Sequence, residues 1–437
     1  MEDTRQKMQI VGGVRLRGEV DACGSKNAAL AIIPATILCS EPCTIENIPL
    51  IEDIWALCDI LRDLGARVKV EGRSLWVDPT SVNKLSVPED LAGRLRASYY
   101  FVGVLLGRYG EGEAAYPGGC DIGTRPIDLH VKSFEALGAK VNTDYGKFAA
   151  KAKKAKLIGT EIFLDFASVG ATINTMLAAV LAEGTTIISN AAKEPHIVDL
   201  ANFLNAMGAR IKGAGTDTIR IQGVNRLFGS TYTIIPDQIE CGTLMIAAAA
   251  TQGDVLIRGA IPTHMEALSA KLLEMGARVE EGTVEDTIRV RSEGRLRRVN
   301  VKTLSYPGFP TDLQQPISAL LSCADGVSYI TETIFEMRFK HLDEIRRMGG
   351  KSRVSDRLAI IEGVPRLTGC LVTATDLRAG AALVIAGLMA EGRTDIENVH
   401  LIDRGYESIE ERLCILGADI KRVGDAPQAA LSLHLGK

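Results

Sequence analysis

The segment Leu64-Gly65-Ala66-Arg67-Val68-Lys69-Val70 joins the end of a predicted helix to the start of a predicted strand. Glycine tolerates the left-handed conformation that ends many helices, and alternating apolar and charged residues are typical of a strand. The same pattern returns five more times at intervals of about 70 residues, so the chain is built from six copies of one unit. The later copies are Leu137-Gly138-Ala139, Met207-Gly208-Ala209, Met275-Gly276-Ala277, Met348-Gly349-Gly350 and Leu416-Gly417-Ala418.

Each repeat also contains an Ala-rich apolar helix that ends in an acidic-Gly turn, as at Glu183-Gly184 and Glu391-Gly392. A short strand follows this turn, so one repeat predicts a buried helix, a strand, a surface helix and then a strand or strand pair. Units of about 70 residues that combine helices and strands are too long and too varied for a thin solenoid. Because 437 residues exceed one compact core, three repeats in each of two α/β domains fit the chain best.

The composition, with 46% hydrophobic and 24% charged residues, is that of an ordinary globular protein. A formal charge of −4 gives no sign of a nucleic-acid-binding surface. The apolar stretch from Ala379 to Ala390 is too short to span a membrane. Nine scattered cysteines without CxxC pairs, and six histidines without HExxH, predict neither a disulfide framework nor a metal site. We therefore expect a cytoplasmic protein without metal or cofactor.

The repeat places polar residues at equivalent helix starts. Counting 14 residues back from the acidic-Gly turn finds one set, and counting 13 back from the Leu/Met-Gly-Ala glycine finds another. The first set contains Arg96, Asp312, Arg378 and Asn27 with its neighbour Lys26, besides Gly170 and Ile239. The second contains Arg125 and Arg404, besides Glu52, Pro195, Thr263 and Glu336. A single Arg at a helix start is usually a solvated surface charge, but five basic residues in register favour an anion site at helix N-termini.

The second repeat contains an irregular loop, Tyr116-Pro117-Gly118-Gly119-Cys120-Asp121-Ile122-Gly123-Thr124-Arg125-Pro126. Its proline and glycines predict an exposed loop, and loops on a rigid scaffold often contain functional residues. Most cysteines are small buried hydrophobic residues. That interpretation suits Cys39 or Cys58 but not Cys120, which this loop leaves chemically available near Arg125.

Seven segments, taken in order, resemble the UDP-N-acetylglucosamine 1-carboxyvinyltransferases, a family of enolpyruvyl transferases. They are Gly24-Ser25-Lys26-Asn27-Ala28-Ala29-Leu30, Leu95-Arg96-Ala97-Ser98, Pro117-Gly118-Gly119-Cys120, Ser168-Val169-Gly170-Ala171-Thr172, Tyr306-Pro307-Gly308-Phe309-Pro310-Thr311-Asp312, Thr375-Asp376-Leu377-Arg378 and Ile402-Asp403-Arg404-Gly405-Tyr406-Glu407. The resemblance implies an inside-out α/β barrel with three repeats in each of two domains. The domains would be residues 26–235 and residues 1–25 plus 236–437, with the active site in the cleft between them.

The resemblance also implies a reaction: transfer of the enolpyruvyl group of phosphoenolpyruvate to the 3′-hydroxyl of UDP-N-acetylglucosamine, with release of phosphate. This is the first committed step of peptidoglycan synthesis, which links the family to cell wall biogenesis, cell shape and cell division. By the resemblance, Cys120 would protonate C3 of the enol, Asp312 would take or hold the hydroxyl proton, and fosfomycin would alkylate Cys120. The implied phosphoenolpyruvate ligands are Lys26, Arg125, Arg378 and Arg404, of which Lys26 and Arg404 would also be catalytic. The implied UDP-N-acetylglucosamine contacts are Asn27, Arg96, Arg125, Pro126, Ile127, Asp128, Leu129, Ser168, Val169, Gly170, Asp312 and Ile334.

Three alternatives remain at the level of the sequence. A shikimate-pathway enolpyruvyl transferase would share the fold and the phosphoenolpyruvate site, but that family lacks the Pro-Gly-Gly-Cys loop and the Ser-Val-Gly-Ala-Thr segment. A catalytically silent relative could bind the nucleotide sugar, and a scaffold for protein partners would make the charged residues dispensable. Met337 and Phe166 differ from residues that many relatives have near the sugar and the diphosphate.

Overall fold

The computed structural model describes residues 6–116, 126–282 and 286–424, which form two compact units. The amino-terminal unit comprises the described residues between 23 and 237. The carboxy-terminal unit comprises residues 6–22 and the described residues from 238 to 424. Each unit has its own cluster of buried apolar side chains, and each contains three of the six repeats.

Every repeat forms a four-stranded sheet with the same pairing, in which one edge strand is parallel to its neighbour and the other pairs are antiparallel. The sheets of the amino-terminal unit are, in spatial order, Thr231–Thr233, Cys43–Glu46, Ser74–Asp78 and Arg67–Glu71; Ser86–Val87, Glu111–Ala115, Lys147–Ala152 and Ala139–Asn142; and Glu161–Phe163, Thr185–Ser189, Thr218–Gln222 and Arg210–Lys212. Those of the carboxy-terminal unit are Arg17–Asp21, Asp254–Arg258, Thr287–Arg291 and Arg278–Glu281; Val301–Lys302, Val327–Thr331, Leu358–Glu362 and Lys351–Ser355; and Leu371–Thr373, Arg393–Glu397, Lys7–Val11 and Asp419–Val423.

Strands from distant parts of the chain complete three of these sheets. Lys7–Val11 lies between two strands of the last repeat, and Arg17–Asp21 pairs in parallel with Asp254–Arg258. In the other unit Thr231–Thr233 pairs in parallel with Cys43–Glu46 of the first repeat. The carboxy-terminal unit therefore needs both the beginning and the later half of the chain.

The first helix of each repeat is buried along almost its whole length. These helices are Lys26–Ala35, Tyr100–Tyr109, Val169–Ala179, Gln238–Ala250, Gln314–Leu321 and Leu377–Met389. A helix that is apolar on all sides must lie in the interior. The strands instead alternate buried and exposed residues, as in Thr218–Gln222, so each sheet has one outer face. Helices inside and sheets outside confirm the predicted six-repeat, inside-out α/β fold.

The second helix of each repeat covers the surface and is followed within two residues by the repeated glycine. These helices are Glu52–Asp63, Asp128–Ala136, Pro195–Ala206, Pro262–Met275, His341–Arg347 and Ile409–Ile415. All six glycines have positive φ, from 92° to 100°, which confirms the left-handed helix ends predicted from the sequence. The remaining helical segments are Glu89–Ala92 and His400–Asp403, with 3-10 turns at Thr36–Leu38, Arg96–Tyr99 and Thr311–Leu313. Within the described ranges, no helix has the length and apolarity needed to cross a membrane.

Candidate active site

The first set of repeat-equivalent residues lies at helix starts. Lys26 is the first residue of the helix Lys26–Ala35, and Arg378 is the second residue of Leu377–Met389. Arg96 begins a 3-10 turn, and Asp312 lies in the 3-10 turn that leads into Gln314–Leu321. The buried helices thus present their polar residues at one end, where backbone N–H groups lack helical partners.

The prediction of a helix start at Arg404 is wrong. Arg404 follows the short helix His400–Asp403, and the next helix begins only at Ile409. A Cβ on Gly405 would lie 2.5 Å from Leu377 Cδ1, so a larger residue there would require that side chain to move. The next residue, Tyr406, is buried, and its hydroxyl lies 2.9 Å from Thr243 Oγ1. The segment between the two helices is thus packed against the buried helices of its own unit. Two further predicted site residues, Cys120 and Arg125 of the irregular loop, lie outside the described residues.

Asp312 lies between two arginines of its own unit. Arg338 Nη2 donates to Asp312 Oδ1 at 2.7 Å, and Arg378 Nη2 donates to Asp312 Oδ2 at 3.0 Å. Both arginines are only 3% exposed, whereas 26% of the Asp312 side chain is exposed. The carboxylate is therefore the accessible part of an otherwise buried ionic cluster.

The two guanidinium groups determine the protonation state of Asp312. Burial alone would raise the pKa of this carboxyl, but Arg378 and Arg338 outweigh burial and hold the pKa well below its usual range. Asp312 is thus a fixed anion, a strong hydrogen-bond acceptor and a weak base. Each carboxylate oxygen has two lone pairs, so the oxygens can still accept a further hydrogen bond from a bound hydroxyl.

Neighbouring groups fix the direction of Arg378. Asp376 caps its helix by accepting from the N–H groups of Arg378 at 2.9 Å and Ala379 at 3.0 Å. The other Asp376 oxygen accepts from Gln315 Nε2 at 3.1 Å. The guanidinium of Arg378 lies 5.1 Å from the centre of the Tyr406 ring, a favourable cation–π distance. Arg378 is therefore held in place before any ligand arrives.

Lys26 forms a buried ion pair in the amino-terminal unit. Its Nζ lies 2.9 Å from Asp53 Oδ2, and both side chains are 7% exposed. Its backbone N–H donates to Asp237 Oδ2 at 2.9 Å, and Ser25 caps the helix by accepting from the N–H of Ala28 at 3.3 Å. Sequence reasoning did not select Asp53, although it follows the register position Glu52. A buried ammonium needs such a partner, because an isolated buried charge is very costly.

The candidate nucleotide contacts come together around two aromatic rings. The Arg96 guanidinium lies 5.5 Å from the Tyr99 ring, and the Tyr99 and His130 rings are 4.7 Å apart. A Cβ on Gly170 would lie 3.0 Å from Tyr99 Oη and 3.1 Å from His130 Nε2, so only glycine fits easily at this position. Ser168 caps the helix Val169–Ala179 by accepting from the N–H of Ala171.

The remaining predicted contacts are more scattered. Asp128 begins the helix Asp128–Ala136, where Leu129 is buried, Ile127 is the residue before the helix, and Pro126 is the residue before that. Asn27 follows Lys26 in its helix. Ile334 belongs to the other unit, and its N–H donates to Glu332 Oε1 at 2.8 Å. Met337 and Phe166 are both largely exposed.

Arg338, Glu332 and Asp53 have site contacts that the sequence did not reveal. Arg338 and Glu332 lie between the strand Val327–Thr331 and the helix His341–Arg347, and neither has a repeat-equivalent position. The helix start predicted at Glu336 in this segment is wrong, because the helix begins at His341. Only the pairing of Arg338 with Asp312 makes it a candidate. The residues that the structure describes contain no cluster of three or more side chains that could hold a metal ion.

Comparison with known proteins places this site in a family context. The profile of the EPSP synthase (3-phosphoshikimate 1-carboxyvinyltransferase) family matches residues 10–413. UDP-N-acetylglucosamine 1-carboxyvinyltransferase 3 of Caldanaerobacter subterraneus subsp. tengcongensis is 57% identical over 418 residues, 96% of this chain and 99% of that protein. The UDP-N-acetylglucosamine 1-carboxyvinyltransferase of Clostridium botulinum is 55% identical, over 95% of this chain and 100% of its own length.

Two solved structures are similar to the fold. The enolpyruvyl transferase NikO from Streptomyces tendae superposes with a TM-score of 0.86 and 28% identity, covering 97% of this chain and 100% of that one. An EPSP synthase from Acinetobacter baumannii superposes with a TM-score of 0.73 and 19% identity, covering 96% of this chain and 100% of that one. At that identity the second likeness concerns the fold alone.

His130 should make the stability of the amino-terminal unit depend on pH. Burial, and secondarily Arg96, lower the pKa of its imidazole to about 3, whereas an unfolded His titrates near about 6.5. Below pH 6.5 the unfolded chain therefore binds a proton that the folded unit rejects. This contribution to stability is complete above pH 6.5 and is lost as pH falls toward 3. Between pH 7 and pH 5, wild type should lose about 2 kcal/mol more unfolding free energy than His130→Gln.

The measurement is urea unfolding at both pH values, followed by hydrogen–deuterium exchange in peptides of Asp128–Ala136. The control is His400→Gln, which replaces an exposed histidine of the other unit and should keep the wild-type pH dependence. An equal loss in wild type and His130→Gln would show that the buried imidazole is protonated in the folded unit.

Proposed function

The chain belongs to the UDP-N-acetylglucosamine 1-carboxyvinyltransferase family, and we propose that it transfers the enolpyruvyl group of phosphoenolpyruvate to the 3′-hydroxyl of UDP-N-acetylglucosamine. Inorganic phosphate is the second product. With this acceptor sugar, the protein is a transferase of peptidoglycan and cell wall synthesis. The observation that best supports this function is the Asp312 carboxylate, held ionised and partly exposed between Arg338 and Arg378.

In this proposal Asp312 holds the sugar hydroxyl. Family resemblance left two roles open, a base that removes the proton or an acceptor that orients the hydroxyl. A carboxylate whose pKa is kept well below its usual range has little driving force to take a proton. It is suited to accept a hydrogen bond and to hold the oxygen in line with C2 of phosphoenolpyruvate.

The cations bind the anionic substrate. Lys26, Arg125, Arg378 and Arg404 engage the phosphate and the carboxylate of phosphoenolpyruvate, and they stabilise phosphate as it departs. The Lys26 ammonium has three N–H groups, so it can donate to this ligand while it remains paired with Asp53 at 2.9 Å.

The reaction is an addition followed by an elimination. The Cys120 thiol delivers a proton to C3 as the sugar oxygen bonds to C2, and the hydroxyl proton passes through solvent to the phosphate group. The tetrahedral adduct then loses phosphate from C2 and returns a proton from C3 to the Cys120 thiolate, which restores the double bond as the enol ether. A positioned acid of this kind contributes about 10²- to 10⁴-fold. Arg96 lies beside Tyr99 and His130, where it binds the diphosphate, and the segments 126–129 and 168–170, together with Ile334, border the nucleotide sugar.

The cellular setting is part of the same proposal. The eight cysteines within the described ranges are all free thiols, as expected in a reducing compartment. We propose that the enzyme acts in the cytoplasm on small-molecule substrates and contributes to cell shape, cell division and the cell cycle through cell wall synthesis.

Phosphate release tests the proposed substrates. With phosphoenolpyruvate and UDP-N-acetylglucosamine the protein should release one phosphate per sugar consumed, because elimination accompanies each transfer. Shikimate 3-phosphate should not replace the nucleotide sugar, and the measurement is phosphate release with each acceptor. Release only with shikimate 3-phosphate would assign the chain to the other branch of the fold, and release with neither acceptor would leave a silent binding protein.

Asp312→Asn tests the acceptor role. The amide keeps the size of the side chain but removes the charge that faces Arg338 and Arg378, so phosphate release should fall by about 10²-fold or more. Asp343→Asn is the control, since Asp343 is an exposed carboxylate of the same unit, paired with Arg346. Wild-type rates in Asp312→Asn, with the fold intact by circular dichroism, would remove Asp312 from the reaction.

Fosfomycin alkylation tests Cys120. The epoxide should add once to the wild-type chain and not at all to Cys120→Ala, because the proposal makes Cys120 the reactive thiol of the site. Cys414→Ala is the matched control, since Cys414 is an exposed thiol on the helix Ile409–Ile415 and has no part in the proposed reaction. Intact-mass analysis that finds the adduct retained in Cys120→Ala would contradict the assignment.

A further inference from the structure

Glu332 is a carboxylate with no exposed surface, immediately after the strand Val327–Thr331. Two threonine hydroxyls donate to its opposite oxygens at the same distance. Thr303 Oγ1 lies 2.9 Å from Glu332 Oε1, and Thr311 Oγ1 lies 2.9 Å from Glu332 Oε2. A buried carboxylate is tolerated only when its oxygens are satisfied in this way.

The hydroxyl of Thr311 connects Glu332 to the candidate catalytic cluster. Because Thr311 has one hydroxyl hydrogen, donating it to Glu332 leaves its lone pairs to accept from Arg338 Nη1 at 2.7 Å. Arg338 Nη2 in turn donates to Asp312 Oδ1 at 2.7 Å. The direction of these bonds follows from Arg338, which can only donate, so the single hydroxyl hydrogen of Thr311 goes to Glu332.

The same carboxylate also holds the backbone that leads to Arg338. Glu332 Oε1 accepts from the N–H groups of Ile334 at 2.8 Å and Phe335 at 3.2 Å. The Arg338 guanidinium lies 5.1 Å from the centre of the Phe335 ring. Glu332 thus holds the backbone that precedes Arg338. It also holds the Thr311 hydroxyl that the Arg338 guanidinium contacts.

We propose that Glu332 is a positioning residue for the transfer reaction, acting through Thr311 and Arg338 to set the place of the Asp312 carboxylate. This inference rests on the proposed function, in which Asp312 holds the acceptor hydroxyl. Glu332 itself is buried and touches no substrate. Its effect on rate comes from geometry, because a small displacement of a positioned group costs up to about 10²-fold.

The competing explanation is that Glu332 only stabilises the sheet. The hydrogen bond from Thr303 fits a purely structural role. Thr303 lies directly after the strand Val301–Lys302, and its hydroxyl also accepts from the N–H of Thr333 at 2.9 Å. Thr303 reaches Asp312 only through Glu332, whereas the Thr311 hydroxyl also accepts directly from Arg338. Thr303 and Thr311 therefore form a matched pair, because each donates to Glu332 at 2.9 Å but only Thr311 touches the arginine that pairs with Asp312.

The experiment compares Thr311→Val, Thr303→Val and Glu332→Gln in the phosphate-release assay, with thermal melting alongside. Both valine variants should lower the melting temperature, because each leaves a buried carboxylate oxygen without its hydroxyl donor. Only Thr311→Val and Glu332→Gln should lower kcat/KM, by about 10- to 100-fold, and Thr303→Val should stay within about threefold of wild type. Thr311→Ser, which keeps the hydroxyl, should restore the rate.

The double variant Glu332→Gln/Thr311→Val separates one connected chain from two independent effects. If both residues act along one chain, the double variant should lose no more activity than the worse single variant. Independent, multiplying losses would overturn the inference, as would equal kcat/KM losses in Thr311→Val and Thr303→Val. If Glu332→Gln does not fold, the two valine variants still decide the question.

Failure of the proposed function has a different signature. Wild-type protein that releases no phosphate would refute the proposed function and the Glu332 inference with it. Active wild-type protein with a fully active Thr311→Val variant would refute the inference alone.

Discussion

The pairing of Asp312 with Arg338 and Arg378 is the interaction on which the candidate site depends. Burial opposes charge at each of these side chains, and the attraction of the two guanidinium groups offsets that cost for the Asp312 carboxylate. Such a cluster is stable only if the surrounding protein holds the three side chains within hydrogen-bonding distance of one another. The Asp376 cap and the Tyr406 ring hold Arg378. Thr311 and Glu332 hold Arg338.

The fold explains why polar groups gather at the ends of the buried helices. A helix surrounded by apolar side chains can place a charge only at its ends, and at the amino-terminal end the unpaired N–H groups and the helix dipole also favour an anion. Arg378 has this position in one unit and Lys26 in the other. In each case a nearby carboxylate, Asp312 or Asp53, neutralises the buried cation. In each unit a buried cation is thus positioned beside a carboxylate before any ligand binds.

The sequence predicted the parts of the molecule that repeat. The helix-ending glycines and the helix-start positions of Lys26, Arg96 and Arg378 all follow from one local pattern. The pattern failed at Arg404, which follows the short helix His400–Asp403 and does not begin the next one. It also missed Arg338 and Glu332, because neither has a repeat-equivalent position and their contacts arise only when the chain folds. Cys120 and Arg125 remain predictions, made from motif resemblance.

In the proposed function Asp312 is an ionised acceptor that holds the sugar hydroxyl. A crystal structure of the protein with UDP-N-acetylglucosamine bound would test this role most directly. We expect the 3′-hydroxyl oxygen at about 3 Å or less from an Asp312 carboxylate oxygen, with both arginines still paired to that carboxylate. A sugar hydroxyl bound to a different acidic or basic side chain, with Asp312 facing only its arginines, would contradict it.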